Sequence, residues 1–259
     1  MPCGHRRARP GAVDPVAPRV REYLGAEVGI DEDATFAWVP TLTGVSRQAI
    51  FAGTPPFLFA GSIGSTHKEA ALWRRFWEER GRRREQIAYV CQQKQEADAS
   101  LVERIVEAVA YPQCRVLGAV VGVVTGSGGL YSLVEEWVRG GVLGRRVDAL
   151  LRAGFDVFIT ADHGNVAGRG IGKPNVGAVA EERGERVHVF PDATFREQVR
   201  GAFPESLAWP PIGLPDGYWP LVAGGRGAFI PEGKVTVSHG GISLEEVIVP
   251  FVGIHAGAA

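Results

Sequence analysis

The segment Phe155-Asp-Val-Phe-Ile-Thr-Ala-Asp-His-Gly-Asn165 is an apolar run that ends in a carboxylate, an imidazole and a glycine. Side by side, Asp162 offers a hard oxygen ligand and His163 a borderline nitrogen, a combination that suits Zn²⁺ or Mn²⁺. The same pair serves equally to cap a helix or satisfy a turn, so its meaning depends on what else the chain brings to it. Two further groups have suitable chemistry. Thr43 lies in Pro40-Thr-Leu-Thr-Gly44, which reads as a strand-to-helix turn, and a hydroxyl at the mouth of a helix meets free amides and a dipole that favour an anion. His239 stands before Gly240 and Gly241, after the strand-like Val235-Thr-Val-Ser238. Such a set is equipment for hydrolysing a phosphate or related ester. A threonine hydroxyl is a poor nucleophile until a metal lowers its pKa, and the same metal neutralises the nonbridging oxygens.

These groups need elements to carry them. A run of β-branched and aromatic residues such as Phe155–Ala161 is what a strand buried on both faces requires, and in open α/β sheets chemistry sits beyond the carboxyl ends of such strands. Phe36-Ala-Trp-Val39 reads as a strand stopped by Pro40, and Ser46 and Gly53 read as the cap and the end of the helix after it. Lys68 to Arg80 reads as a helix with Trp73 and Trp77 at four-residue spacing. From there the alternation is regular. Ile87–Cys91 and Arg115–Val124 are expected strands; Leu101–Val109, Leu130–Val138 and Leu143–Leu151 are expected helices. Strands separated by helices of this length imply a doubly wound, mostly parallel α/β sheet with helices on both faces. Beyond Asn165, Arg169–Gly177 reads as a glycine-rich loop, Val187–Phe190 as a strand, Ala193–Phe203 as a helix and Pro204–Pro220 as an excursion. Ser243 and Glu246 fit a capping box before a closing strand, Val247–Val252. Residues 1 to 18, with four prolines among arginines, read as a disordered tail ahead of one domain, 19–259.

Composition excludes several classes. The chain has 259 residues, 45% hydrophobic and 22% charged, with a net charge of -1, so no global field draws in nucleic acid or an anionic membrane. The arginines around Trp73 and Trp77 are diluted by Glu78, Glu79 and Glu85, which favours a core-facing helix over a nucleic-acid patch. Three cysteines, Cys3, Cys91 and Cys114, show neither a disulfide framework nor a zinc-binding spacing and fit a reducing cytoplasm. The longest apolar run, Val116–Val124, is too short to span a bilayer.

Three segments, in order, resemble the PglZ domain, a family of the alkaline phosphatase superfamily associated with bacterial anti-phage defence. They are Pro40-Thr-Leu-Thr-Gly-Val-Ser-Arg-Gln-Ala-Ile-Phe-Ala-Gly53, Gly154–Asn165 with Gly170-Ile-Gly-Lys-Pro-Asn175, and Ser238-His-Gly-Gly-Ile-Ser-Leu-Glu-Glu-Val-Ile-Val-Pro-Phe251. The resemblance implies an alkaline-phosphatase-like core and a metal-dependent phosphatase or phosphodiesterase acting in phage defence. It implies Thr43 as nucleophile, Asp162 and His163 as ligands of one divalent metal, Zn or Mn rather than Mg, and His239 as a ligand of another. Arg47 and Lys173 lie near these motifs and would meet substrate oxygens, or else be solvated or anchor loops. Expected partners are a phosphate-ester substrate and other defence proteins, with neither membrane nor nucleic acid. The chain also departs from the superfamily pattern. It shows no apolar first strand ending in Asp upstream of Thr43, Asp14 following only Gly11-Ala-Val13, and it has no Asp or His between Asp98 and Asp148, where Thr125-Gly-Ser-Gly-Gly129 stands. An alternative is therefore a catalytically impaired PglZ-like scaffold that binds defence partners.

Overall fold

The computed structural model describes residues 21–25, 28–93, 96–122, 141–174 and 184–257. The expected tail, the helix Leu130–Val138 and the glycines around Ser127 lie outside the described residues. The chain divides into two compact units, one of Met1–Glu32, Val123–Phe158 and Val252–Ala259, the other of Asp33–Gly122 and Ile159–Phe251.

In the first unit the main described helix is Val142–Arg152, whose Leu143 and Val147 are buried four residues apart as an amphipathic stripe requires. The ring of Tyr23, from the helical turn at 21–24, lies against Gly144.

The second unit carries the candidate residues. Its first helix, α1 (Thr43–Ala52), starts at Leu42 without a side-chain cap and ends at Gly53, whose φ of +59° is the left-handed value glycine tolerates. A Cβ at Gly53 would lie 2.1 Å from the Phe76 ring, so glycine is required there twice over. Ser46, expected as the cap, is buried inside the helix and donates to the Trp38 carbonyl at 3.1 Å. The expected strand Phe36–Val39 begins and ends earlier: β1 is Val28–Phe36. Its Asp31-Glu-Asp33 run is exposed and breaks the alternation that marks a half-buried strand.

Helix α2 (Glu69–Glu78) packs on α1, and β2 (Ile87–Cys91) pairs in parallel with β3 (Val116–Val120), Ile87 opposite Val116, with α3 (Asp98–Ala110) between them in sequence. Trp73 and Trp77 belong to an aromatic cluster with Phe51, Phe76 and Tyr89, the core-facing role their spacing suggests. Strand β4 is Val157–Thr160, and the segment read as a loop opens with β5 (Val166–Gly170). After β6 (Val187–Phe190) and a helix over Ala193–Arg200 capped by Asp192, the excursion contributes β7 (Leu207–Ala208), followed by β8 (Trp219–Val222); β8 lies between β6 and β7, antiparallel to both. Strands β9 (Gly227–Ala228) and β10 (Val235–Ser238) flank β5, the first parallel and the second antiparallel to it. The closing strand β11 is Ile248–Ala256, and it lies between β1 and β4 in the third three-stranded sheet.

The described pairings thus form four small sheets of mixed direction, and the fold is an α/β arrangement of helices around them. One core gathers Leu42, Val45, Phe59, Val187, Val189 and Val222; a second gathers Phe190, Val199, Leu221 and Phe229. Leu42 and Val45 bracket Thr43, so the turn that presents its hydroxyl is anchored by apolar residues fully removed from water.

Candidate active site

The register of β10 against β5 sets Ser238 opposite Val166. His239, one residue past the end of β10, is thereby carried toward the Asp162–Asn165 turn that precedes β5. The His163 and His239 rings stack, with centroids 4.0 Å apart and planes 22° from parallel. Thr43, at the first turn of α1, arrives from another direction, its Oγ1 3.0 Å from His163 Nε2. Asp162 Oδ2 lies 3.7 Å from the same nitrogen, and its Oδ1 accepts from the His163 backbone N–H at 3.2 Å.

Both imidazoles are oriented by backbone. His163 Nδ1 is 2.9 Å from the Gly164 carbonyl, and His239 Nδ1 is 2.9 Å from the Thr41 carbonyl. A carbonyl only accepts, so each Nδ1 carries a proton, and in a neutral ring Nε2 then keeps the lone pair. Burial, and after it the neighbouring His163, push the His239 pKa down to about 4, so His239 is neutral near pH 7. A neutral imidazole with Nδ1–H tied to a carbonyl and a bare Nε2 is the form that ligates metals or accepts a hydroxyl proton.

The supports are buried. Thr41 is fully removed from water; its hydroxyl donates to the Gly241 carbonyl at 2.9 Å and accepts from Gly240 N–H at 3.0 Å. Glu246 is also fully buried. Its Oε1 accepts from Gly241 N–H at 2.7 Å and from Arg186 Nε at 2.9 Å, and its Oε2 accepts from Ser243 N–H at 3.0 Å, one half of the expected capping box. Gly164 N–H donates to the Glu246 carbonyl at 3.0 Å, and a Cβ at Gly164 would sit 1.8 Å from the Glu245 oxygen. Glycine after Asp162 and His163 is therefore required by close backbone approach.

The other two sequence candidates part company. Arg47, one helical turn beyond Thr43, pairs through Nε with the buried Glu69 at 2.6 Å, and the charge of Asp162 reaches it. Lys173 is exposed and makes no hydrogen bond or ion pair among the described residues; its charge acts on His188. Arg186, Glu69 and Tyr89 leave no mark in the sequence, because isolated polar residues in polar surroundings read as surface. Glu246 alone carried a signal, its place in the capping box.

The donor chemistry fits a divalent ion at Asp162 and His163, with one carboxylate and one imidazole Nε2 beside a hydroxyl. Among the described residues no three His, Cys, Asp or Glu side chains gather closely enough to hold an ion by themselves. Asp162 also lines a cavity of about 550 Å³ with Thr160, Ser46, Trp38 and Phe251, within the usual range for small-molecule sites.

Comparison with known proteins places the fold. The family profile of the BREX system PglZ alkaline phosphatase-like domain matches residues 16–254. No curated protein matches the chain. Among solved structures, the chain is similar to murine ectonucleotide pyrophosphatase/phosphodiesterase 5, at 15% identity and a TM-score of 0.52 over 85% of this chain and 75% of that one. An inactive threonine-to-alanine variant of the murine enzyme in complex with AMP gives 14% identity and 0.51, over 83% and 74%. Phosphonoacetate hydrolase from Sinorhizobium meliloti 1021 in complex with phosphonoformate gives 15% identity and 0.47, over 92% and 83%. No helix among the described residues is long and apolar enough to cross a membrane.

Proposed function

Because the chain belongs to the PglZ family of alkaline phosphatase-like domains, we propose that it is a metal-dependent phosphatase or phosphodiesterase in which Thr43 attacks phosphorus, working within a bacterial phage-defence system. The observation that carries this reading is the contact between Thr43 Oγ1 and His163 Nε2 at 3.0 Å, made by residues 120 apart in sequence. A threonine hydroxyl bonded to an imidazole nitrogen that itself lies 3.7 Å from a carboxylate, at a helix N-terminus, is placed where charge can be handled. The AMP bound to the inactive threonine-to-alanine variant of the murine phosphodiesterase supports a phosphate-ester substrate and a threonine in this role.

In this reading Asp162 and His163 hold a divalent ion, Zn²⁺ or Mn²⁺ rather than Mg²⁺, because an imidazole is among the donors. His239, stacked on His163 with Nε2 unprotonated, is a ligand of a second ion. When bound, the metal supplies a lowered hydroxyl pKa and neutralises phosphoryl charge. The helix α1 amides orient the phosphoryl group at Thr43, and Arg47, on the same face one turn later, meets an oxygen. Lys173, on the loop after β5, is a further candidate for the substrate's charge. The Asp162 carboxylate fixes the His163 backbone and faces the cavity.

The test is hydrolysis of a bis-aryl phosphodiester by purified protein supplied with Zn²⁺ or Mn²⁺. Thr43→Ala is expected to lower kcat at least about a thousandfold. Turnover unchanged in that variant removes Thr43 as nucleophile. A second reading, a PglZ-like scaffold that binds defence partners without turnover, is favoured by the stretch between Asp98 and Asp148 that has neither Asp nor His. A wild-type protein that neither binds metal nor hydrolyses the diester supports that one.

A further inference from the structure

We propose that Glu69 and Tyr89 are positioning residues that hold the Arg47 guanidinium toward the phosphoryl group beside Thr43; the proposal rests on the phosphoesterase reading. Three elements meet at this point and each contributes one side chain. Arg47 comes from α1, four residues after Thr43, which puts both on one helical face. Glu69 opens α2, where the helix dipole favours a carboxylate. Tyr89 comes from the middle of β2.

The bonds between them are short and directional. Arg47 Nε donates to Glu69 Oε1 at 2.6 Å, and the Tyr89 hydroxyl donates to Glu69 Oε2 at 2.7 Å. Glu69 is 2% exposed, so its charge depends on these two donors. Burial, then the bond to Glu69, drive the Tyr89 pKa upward, which keeps its hydroxyl a donor. The surroundings hold the geometry in place: Phe51 meets both Trp73 and Tyr89 edge to face, and Trp73 Nε1 donates to the Ala88 carbonyl at 2.9 Å.

Engaging Arg47 by Nε has a chemical consequence. The guanidinium is planar, so a fixed Nε–H direction also fixes both Nη groups. Those four N–H bonds make no hydrogen bond among the described residues, and a quarter of the side chain, 24%, is open to solvent. Burial lowers the Arg47 pKa, but the bond and charge of Glu69, and after them the charge of Asp162, outweigh it and raise it, so Asp162 is near enough for its charge to be felt. The free edge of Arg47 therefore belongs to the Thr43 and Asp162 surroundings, and a forked pair of donors is what a phosphoryl oxygen pair accepts. If the Glu69 carboxylate only fastened α1 to α2, one partner would serve; Tyr89 on its second oxygen removes the freedom of the carboxylate to swing and release the arginine.

The measurement is inorganic phosphate binding by isothermal titration calorimetry, at one pH and equal metal loading, alongside thermal unfolding of each variant. Arg47→Ala is expected to weaken phosphate binding by about 10- to 100-fold, the worth of hydrogen bonds to a charged group. Tyr89→Phe, which removes one oxygen atom, is expected to weaken it several-fold, and Glu69→Gln by more. In the Arg47→Ala background neither change should weaken it further, because both act through the arginine. Tyr89→Phe that lowers thermal stability while leaving phosphate affinity at the wild-type value overturns the proposal and leaves the phosphoesterase reading standing. So does a loss that persists undiminished without Arg47. Absence of phosphate binding by the wild type overturns both.

Discussion

The imidazoles of His163 and His239 lie face to face, 4.0 Å between centroids, with the Nδ1–H of each spent on a backbone carbonyl. The arrangement fixes which nitrogens are available. Each ring, from residues 76 positions apart, is left with its Nε2 as the one nitrogen not spent on backbone, and that of His163 lies 3.0 Å from the Thr43 hydroxyl.

Metal retention follows from that availability. Wild-type protein dialysed against Zn²⁺ is expected to keep it, and Asp162→Ala to weaken retention by at least about 10-fold, since a lost ligand should cost no less than a lost orienting partner. Elemental analysis after gel filtration reads this directly. Equal zinc in both proteins would show that Asp162 is not a ligand.

Gly164→Ala is expected to destabilise the protein by about 2–4 kcal/mol, because the added carbon would sit 1.8 Å from the Glu245 oxygen and push apart the backbone that joins the two segments. Urea unfolding gives the number. A midpoint like that of the wild type would mean the turn relaxes freely.

Glu246→Ala should cost about 3–5 kcal/mol, since it strands the buried Arg186 guanidinium and leaves the Gly241 and Ser243 amides without an acceptor. The exposed pair Arg75–Glu79, with similar contact geometry, is the control: Glu79→Ala is expected to cost under about 0.5 kcal/mol. Chemical denaturation of the two variants side by side separates burial from mere charge pairing.

Acid should weaken the protein through His188. Burial, then the charge of Lys173, lower its pKa to about 4 from an ordinary 6.5, and its Nδ1 has no hydrogen-bond partner among the described residues. The unfolded chain takes up a proton that the folded chain refuses, so the stability from this group is full above pH 6.5. It is lost as pH falls toward 4, at up to about 1.4 kcal/mol per pH unit. Comparing His188→Leu with wild type at pH 7.5 and pH 5 isolates this share: the wild type should lose more. Identical losses would show that His188 does not titrate across this range.

Motifs whose members are close in sequence were legible in advance. The turn around Thr43, the strand end at Asp162 and His163, the cap at Gly53 and the histidine before Gly240 each declare themselves through local rules of turns and caps. The start of β1 was not legible, because Asp31, Glu32 and Asp33 have low strand propensity, which backbone pairing in the sheet overrode. Nor were the Arg186–Glu246 and Arg47–Glu69–Tyr89 groupings. Pairing of distant charges leaves no periodic trace, and isolated arginines and glutamates look alike whether solvated or sealed in. Arg169-Gly170 reads as loop from its glycines, yet both lie in β5, where the Pro231 carbonyl passes 2.0 Å from where a Gly170 Cβ would be and leaves room for glycine alone.

Thr41 joins positions 198 to 200 residues apart through three hydrogen bonds, so the order in which the chain is made bears on when the site exists. Closing so long a loop costs about 5 kcal/mol of chain entropy, a sum that helix α1 alone cannot repay. During synthesis the Thr43 turn emerges first, the Asp162–His163 strand end more than a hundred residues later, and the latch on Thr41 only with Gly241. A nascent chain short of that glycine presents the hydroxyl without the lock that aims it, so any competence at this site waits on Gly241.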